Sequence, residues 1–224
     1  MQGNYQSDPD WKKWVEQCTI TTFTLDAAHQ TPNHSLLSSL LPKKLTLKKY
    51  DPSRQQVDES SWRHGPQHEE VVVYVVTPKT LSNTKSPPAA LIMASGEQGL
   101  ARTAQVHLPM AARYAVECNC TVFSVDCRAA PEFKCPQPQQ DFYNAIKVIS
   151  KNAKQLSIDP DKICTLGISG GAWITLGASY IQSKADEKER EACRIRASFL
   201  IAPDISCSID DDEDAGGILN NNFE

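Results

Sequence analysis

Apolar residues in this chain gather in short runs between polar, turn-rich stretches, and their spacing alternates between two periods. Val71-Val72-Val73-Tyr74-Val75-Val76, closed by Pro78, is β-branched and aromatic and predicts a strand. Leu45-Thr46-Leu47-Lys48-Lys49-Tyr50 is a candidate first strand, followed by a polar stretch over residues 51–68. After Pro87-Pro88 the run Ala89-Ala90-Leu91-Ile92-Met93 is apolar without alternation, as in parallel strands covered on both faces. Residues 120–125, 162–166 and 197–202 predict three more strands. Between them the spacing turns helical. One helix begins between Ala104 and Pro109, where proline fits a first turn, and runs to about Glu117. A second is marked by Phe142, Ala145, Ile146, Ile149 and Ala153. A third follows residue 171 and presents Trp173, Leu176 and Tyr180, and residues 183–196 read as a charged surface connection. Strands alternating with helices from residue 88 onward predict an α/β fold with a mostly parallel sheet and flanking helices.

The ends of the chain read differently. Residues 1–40 are expected to be peripheral: Ser7-Asp8-Pro9-Asp10 is a helix start, and Trp11, Trp14 and Val15 recur at helical spacing. Periodicity leaves two readings of that helix open, a packing element or part of a cap over a substrate site. Residues 41–206 form the expected core. Residues 207–224, with Asp210-Asp211-Asp212-Glu213-Asp214, are expected to be an acidic, flexible tail.

Composition narrows the function classes. The 224 residues suffice for one α/β domain, and the net charge is −4. No Lys/Arg cluster is interleaved with aromatics, which argues against nucleic acid as a partner. The longest apolar runs are too short to span a membrane, and Met1-Gln2-Gly3-Asn4 opens no basic-then-apolar signal, so a cytoplasmic location is expected. Eight cysteines are scattered, with Cys120, Cys127 and Cys164 inside apolar runs, and are read as reduced thiols. Cys118-x-Cys120 lacks zinc-ligand spacing, and His64 and His68 lack a companion cysteine pair, so neither a metal nor another cofactor is expected.

The candidate chemistry sits where the strand 162–166 runs into Gly167-Ile168-Ser169-Gly170-Gly171 and then into a helix. G-x-S-x-G in a strand–turn–helix setting predicts a nucleophile elbow, in which flanking glycines allow close packing and leave the Ser169 hydroxyl exposed. The competing reading is a structural serine in a tight turn. A nucleophilic serine needs a histidine base, itself oriented by a carboxylate. His29, His34, His64, His68 and His107 all precede Ser169, and none follows it.

Two further stretches carry a resemblance. Asp126-Cys127-Arg128-Ala129-Ala130-Pro131-Glu132 resembles the D-Y-R-L-A-P-E segment of the hormone-sensitive-lipase-like branch of the α/β hydrolases. Residues 159–171, opening Asp159-Pro160-Asp161-Lys162-Ile163, resemble that branch's D-P-x-R-I…G-D-S-A-G-G, in matching order and spacing. The resemblance covers about residues 70 to 206. It implies the α/β-hydrolase fold and a carboxylesterase or lipase-like serine hydrolase, with an acyl-enzyme on Ser169 and a small ester as substrate. It also implies Gly96 and Gly170 as backbone N–H donors to the oxyanion.

The departures are as informative. Where the branch has H-G-G-G, this chain has Ala94-Ser95-Gly96-Glu97-Gln98-Gly99, so Glu97 brings a carboxylate, and Ile168 replaces the acid before the nucleophile. The branch's acid and histidine follow two further strands, so the fold is expected to lack its C-terminal strands and the chain to be incomplete or inactive. Asp204, after the strand 197–202, is read as a turn residue, with the triad acid as the second reading. His107 is read as a packing or capping residue, with a base as the second reading. Arg128 and Glu132 are read as an ion pair supporting their loop, with Arg128 as a substrate anchor the second reading. The alternative function is a non-catalytic member of the same fold that binds a hydrophobic ligand or a protein.

Overall fold

Five apolar runs of the chain become strands of one seven-stranded sheet in a computed structural model, which describes residues 9–25, 45–49, 70–83, 86–94, 104–129 and 133–203. The strands are β1 (Cys18–Leu25), β2 (Lys48–Lys49), β3 (Val71–Pro78), β4 (Ala90–Ala94), β5 (Thr121–Asp126), β6 (Ile163–Ile168) and β7 (Ala197–Ile201). The helices are α1 (Pro9–Glu16), α2 (Leu108–Glu117), α3 (Gln137–Lys151), α4 (Gly170–Lys184) and α5 (Glu187–Ala192). Strand order is β2-β1-β3-β5-β4-β6-β7. β4 pairs in parallel with β5 and β6, and β6 with β7. β3 runs antiparallel to both β1 and β5, so the sheet is mixed, with its parallel part where strands alternate with helices.

The connections place the helices. From β4 the chain crosses through α2 to β5 on one side, then through α3 to β6 on the other, and on through α4 and α5 to β7. Right-handed crossovers in opposite directions put α2 on one face and α3 and α4 on the other. Two cores result. Phe142, Ile146, Ile149 and Ile174 pack on Ile92, Phe123 and Val125, whereas Leu108, Ala111, Ala112 and Ala115 pack on Met93, Val122 and Leu166. Each fully buried large side chain is worth roughly 1.5–3 kcal/mol. The connections after β4 and β6 leave in opposite directions across the sheet, and the carboxyl ends of two such neighbouring strands are where open α/β sheets hold ligands.

Several expectations change. The candidate strand at 45–50 shrinks to Lys48–Lys49. The first strand is instead Cys18–Leu25, inside the segment read as peripheral, and it pairs along its whole length with β3. Its threonines conceal it in a hydropathy pattern while suiting a half-exposed strand. Trp14 and Val15 of α1 pack against the α2-side core. The charged connection contains α5, whose N-cap Asp186 accepts from the Glu189 N–H at 2.8 Å. None of the described cysteines forms a disulfide, and burial pushes the Cys120 thiol up to about 12, which keeps it neutral. Among the described residues no helix is long and apolar enough to cross a membrane, and no group of side chains could hold a metal ion.

Candidate active site

Ser169 stands between the last residue of β6 and the first of α4, with φ 52° and ψ −121°. That conformation costs a side-chain-bearing residue about 1–3 kcal/mol and persists only where its surroundings impose it. They do so through backbone. The Ser169 N–H donates to the Ile201 carbonyl of β7 at 2.9 Å, and the Ser169 carbonyl accepts from Ala172 N at 2.9 Å. A Cβ on Gly171 would strike the Ala94 carbonyl at the end of β4, and one on Gly167 would strike the Gly171 carbonyl. Only glycine lets α4 begin so close to β4 and β6. The turn is therefore held on three sides, and Ser169 itself is exposed.

The elbow stands at the carboxyl ends of β4 and β6, with Ser169 immediately before the first turn of α4. Gly170 is the first residue of α4, so its N–H has no acceptor within the helix and lies at the positive end of the helix dipole. A hydroxyl beside such donors is suited to forming a tetrahedral adduct whose oxyanion those donors stabilise. Ile168, in the place of the branch's acid, is half-buried and packs into the α2-side core, so it supplies packing rather than charge.

A second loop, after β5, borders the same edge. Arg128 and Asp141 are 7% and 0% exposed. Asp141 Oδ2 accepts from both the backbone N–H and Nε of Arg128 at 3.0 Å, and its Oδ1 accepts from Nη2 at 2.7 Å. Gln137 Nε2 donates to the same Oδ1 at 2.8 Å, and the guanidinium lies 4.9 Å from the Phe133 ring centroid. Asp141 on α3 is thus a buried ion-pair partner of Arg128. The partner read from the sequence, Glu132, lies outside the described residues.

Of the residues singled out in the sequence, the fold brings Ser169 and Gly170 together at one edge. His107 precedes α2, its carbonyl accepts from Ala111 N at 2.9 Å, and its Nδ1 is buried. Since α2 runs back from the carboxyl edge towards β5, His107 stands at that edge. Gly96, Glu97 and Asp204 lie outside the described residues. Two contributors escaped the sequence reading. Asp141 sits in the buried stripe of α3, where a carboxylate between apolar residues was a usable signal, whereas the Ile201 carbonyl left no signal in the residue pattern.

Comparison with known proteins follows this geometry. A family model described as alpha/beta hydrolase fold matches residues 91–220. An arylesterase of Saccharolobus solfataricus is 48% identical over 64 residues, which is 29% of this chain and 21% of the arylesterase. Carboxylesterase NlhH of Mycobacterium tuberculosis is 38% identical over 69 residues, 31% of this chain and 22% of that enzyme. Among solved structures, a bacterial heroin esterase superposes with a TM-score of 0.53 at 31% identity, over 61% of this chain and 41% of that one. A thermostable carboxylesterase cloned from a metagenomic library gives 0.52 at 27% identity, over 60% and 42%. The chain therefore spans about a fifth of the length of these curated relatives and about two fifths of these solved structures.

Proposed function

The chain belongs to the α/β-hydrolase fold family, in its hormone-sensitive-lipase-like branch, and from that premise we propose that it is a serine-esterase chain whose nucleophile is Ser169. The observation that carries this reading is the elbow: an exposed serine at φ 52°, pinned by Ile201 and seated on the N-terminus of α4. The substrate class is a small carboxylic ester. The Ser169 hydroxyl adds to the ester carbonyl, the alkoxide leaves, and water releases the acid from the acyl-enzyme. Gly170 N–H, with Gly96 N–H as the second donor, receives the developing negative charge.

The same reading assigns this 224-residue chain no turnover of its own. No histidine follows Ser169 in the sequence, and family members of this fold order their triad as serine, acid, histidine. A chimera in which this chain continues into the C-terminal portion of the heroin esterase tests the assignment. Ester hydrolysis abolished by Ser169→Ala supports it, and a folded chimera without such hydrolysis contradicts it. A second reading, ligand binding without catalysis, is favoured by Glu97 in the place of an oxyanion-loop glycine. It requires an ester analogue to bind equally well to the chain and to its Ser169→Ala variant.

A further inference from the structure

The end of β7 repeats the strain of the elbow. Among the described residues, four that bear side chains take positive φ: Asn119, Ser157, Ser169 and Ala202. Asn119 follows α2, where a left-handed residue is the ordinary helix stop, and Ser157 lies in the turns between α3 and β6. Ala202, at φ 47°, has no such setting. Its Cβ strains that conformation, and Pro203 biases it further towards extended backbone. Strain of this kind persists only where the surroundings impose it, and it gathers at functional sites.

The surroundings are the last rung of the β6–β7 ladder. Ile168 pairs with Ile201, and the two strained residues, Ser169 and Ala202, come immediately after them on either strand. The Ser169 N–H closes that rung by donating to the Ile201 carbonyl at 2.9 Å. In a parallel ladder the next rung would carry the N–H of residue 203 to the Ser169 carbonyl. Residue 203 is proline and has no N–H to donate. The Ser169 carbonyl accepts instead from Ala172 N at 2.9 Å, the bond that opens α4. Continued pairing would keep Ser169 extended. Its side chain would then point opposite to that of Ile168, towards the face that α4 covers.

We propose that Ala202 and Pro203 are positioning residues for the nucleophile, the half of the elbow that lies on β7. The bend at Ala202 takes β7 out of the ladder straight after the rung that pins the Ser169 N–H. Pro203 withholds the donor that would compete with α4 for the Ser169 carbonyl. Both backbone groups of Ser169 are thereby fixed, and its side chain stays exposed at the start of α4. The inference deepens the esterase reading of Ser169 and rests on it.

Amide hydrogen exchange of the 224-residue chain, followed by NMR, tests the bend without any need for turnover. Ala202→Val, whose branched Cβ does not fit a left-handed residue, should speed exchange at Ser169 by more than about tenfold. Exchange at Ile92, in the middle of β4, should stay unchanged. Ala202→Gly, free of the strain, should leave Ser169 at least as protected as alanine does. Pro203→Ala restores a donor, should speed exchange at Ala172 several-fold, and decides the matter if Ala202→Val fails to fold. In the chimera with the heroin esterase's C-terminal portion, Ala202→Val should lower kcat by more than about tenfold with KM little changed, and Ala202→Gly should not. Exchange at Ser169 and Ala172 indifferent to Ala202→Val and Pro203→Ala overturns the inference. So does Ala202→Gly loosening Ser169 as much as Ala202→Val, or a kcat that ignores Ala202→Val. A chimera without Ser169-dependent hydrolysis before any change at position 202 overturns the esterase reading instead, and the exchange rates alone then judge what holds the turn.

Discussion

Two loops border the carboxyl edge of the sheet, and opposite means hold them. The elbow at Ser169 is fixed by backbone: two glycines admit close approach, and one carbonyl of β7 takes the serine N–H. The loop after β5 is fixed by side chains, through a buried carboxylate on α3 that binds Arg128 at three donors. Backbone construction leaves the Ser169 side chain exposed and outside the contacts that hold the turn. Side-chain construction consumes the charges it uses. A residue with a partner already satisfied on every side is a support, and one held only through its backbone is a candidate reagent.

The sharpest way to break this comparison is at the charged loop. Asp141→Ala removes the carboxylate from a guanidinium that is 7% exposed, and should destabilise the fold by about 3–5 kcal/mol in chemical denaturation. A cost under about 1 kcal/mol would mean that water reaches Arg128 and that the loop is not built as described.

The elbow should fail by steric means instead. Gly171→Ala forces a methyl group onto the Ala94 carbonyl and should cost roughly 1–3 kcal/mol. An unchanged midpoint for Gly171→Ala would show that α4 can retreat from β4, and the tight strand–helix contact would lose its role.

A third, smaller effect sharpens the rule that burial decides which partner matters. Lys147 on α3 is 4% exposed and donates to Glu189 of α5, 23% exposed, at 2.9 Å, with the ammonium 4.8 Å from the Tyr143 ring centroid. Glu189→Ala strands the buried ammonium and should cost about 1–3 kcal/mol. Lys147→Met leaves a carboxylate that water can reach and should cost less. Equal or reversed costs would contradict the burial argument.

These contrasts also mark what a sequence can disclose. The elbow was legible because its determinants are contiguous: Gly167, Ser169 and Gly171 are local requirements of one turn, and local requirements fix residue types at fixed spacing. The parallel strands β4, β5 and β6 were legible for a related reason, since burial on both faces demands largely apolar runs. β1 was not, because an antiparallel strand rich in threonine, half-exposed in Cys18–Leu25, shows no apolar run. Arg128–Asp141 and Lys147–Glu189 join elements thirteen and forty-two residues apart, and no spacing rule reaches that far. Arg128 was singled out as a loop support, and only the fold supplied its partner on α3.

The proposed role of Ser169 is that of a nucleophile for which no histidine of these 224 residues acts as base. A general base contributes about a hundred- to ten-thousand-fold to such a reaction. The most direct measurement compares hydrolysis of a short-chain nitrophenyl ester by the purified 224-residue chain and by its Ser169→Ala variant. The account predicts equal rates, both at the uncatalysed background. Turnover that disappears with Ser169→Ala would contradict it, and His107, at the start of α2 on the same edge, would then be the residue to replace next.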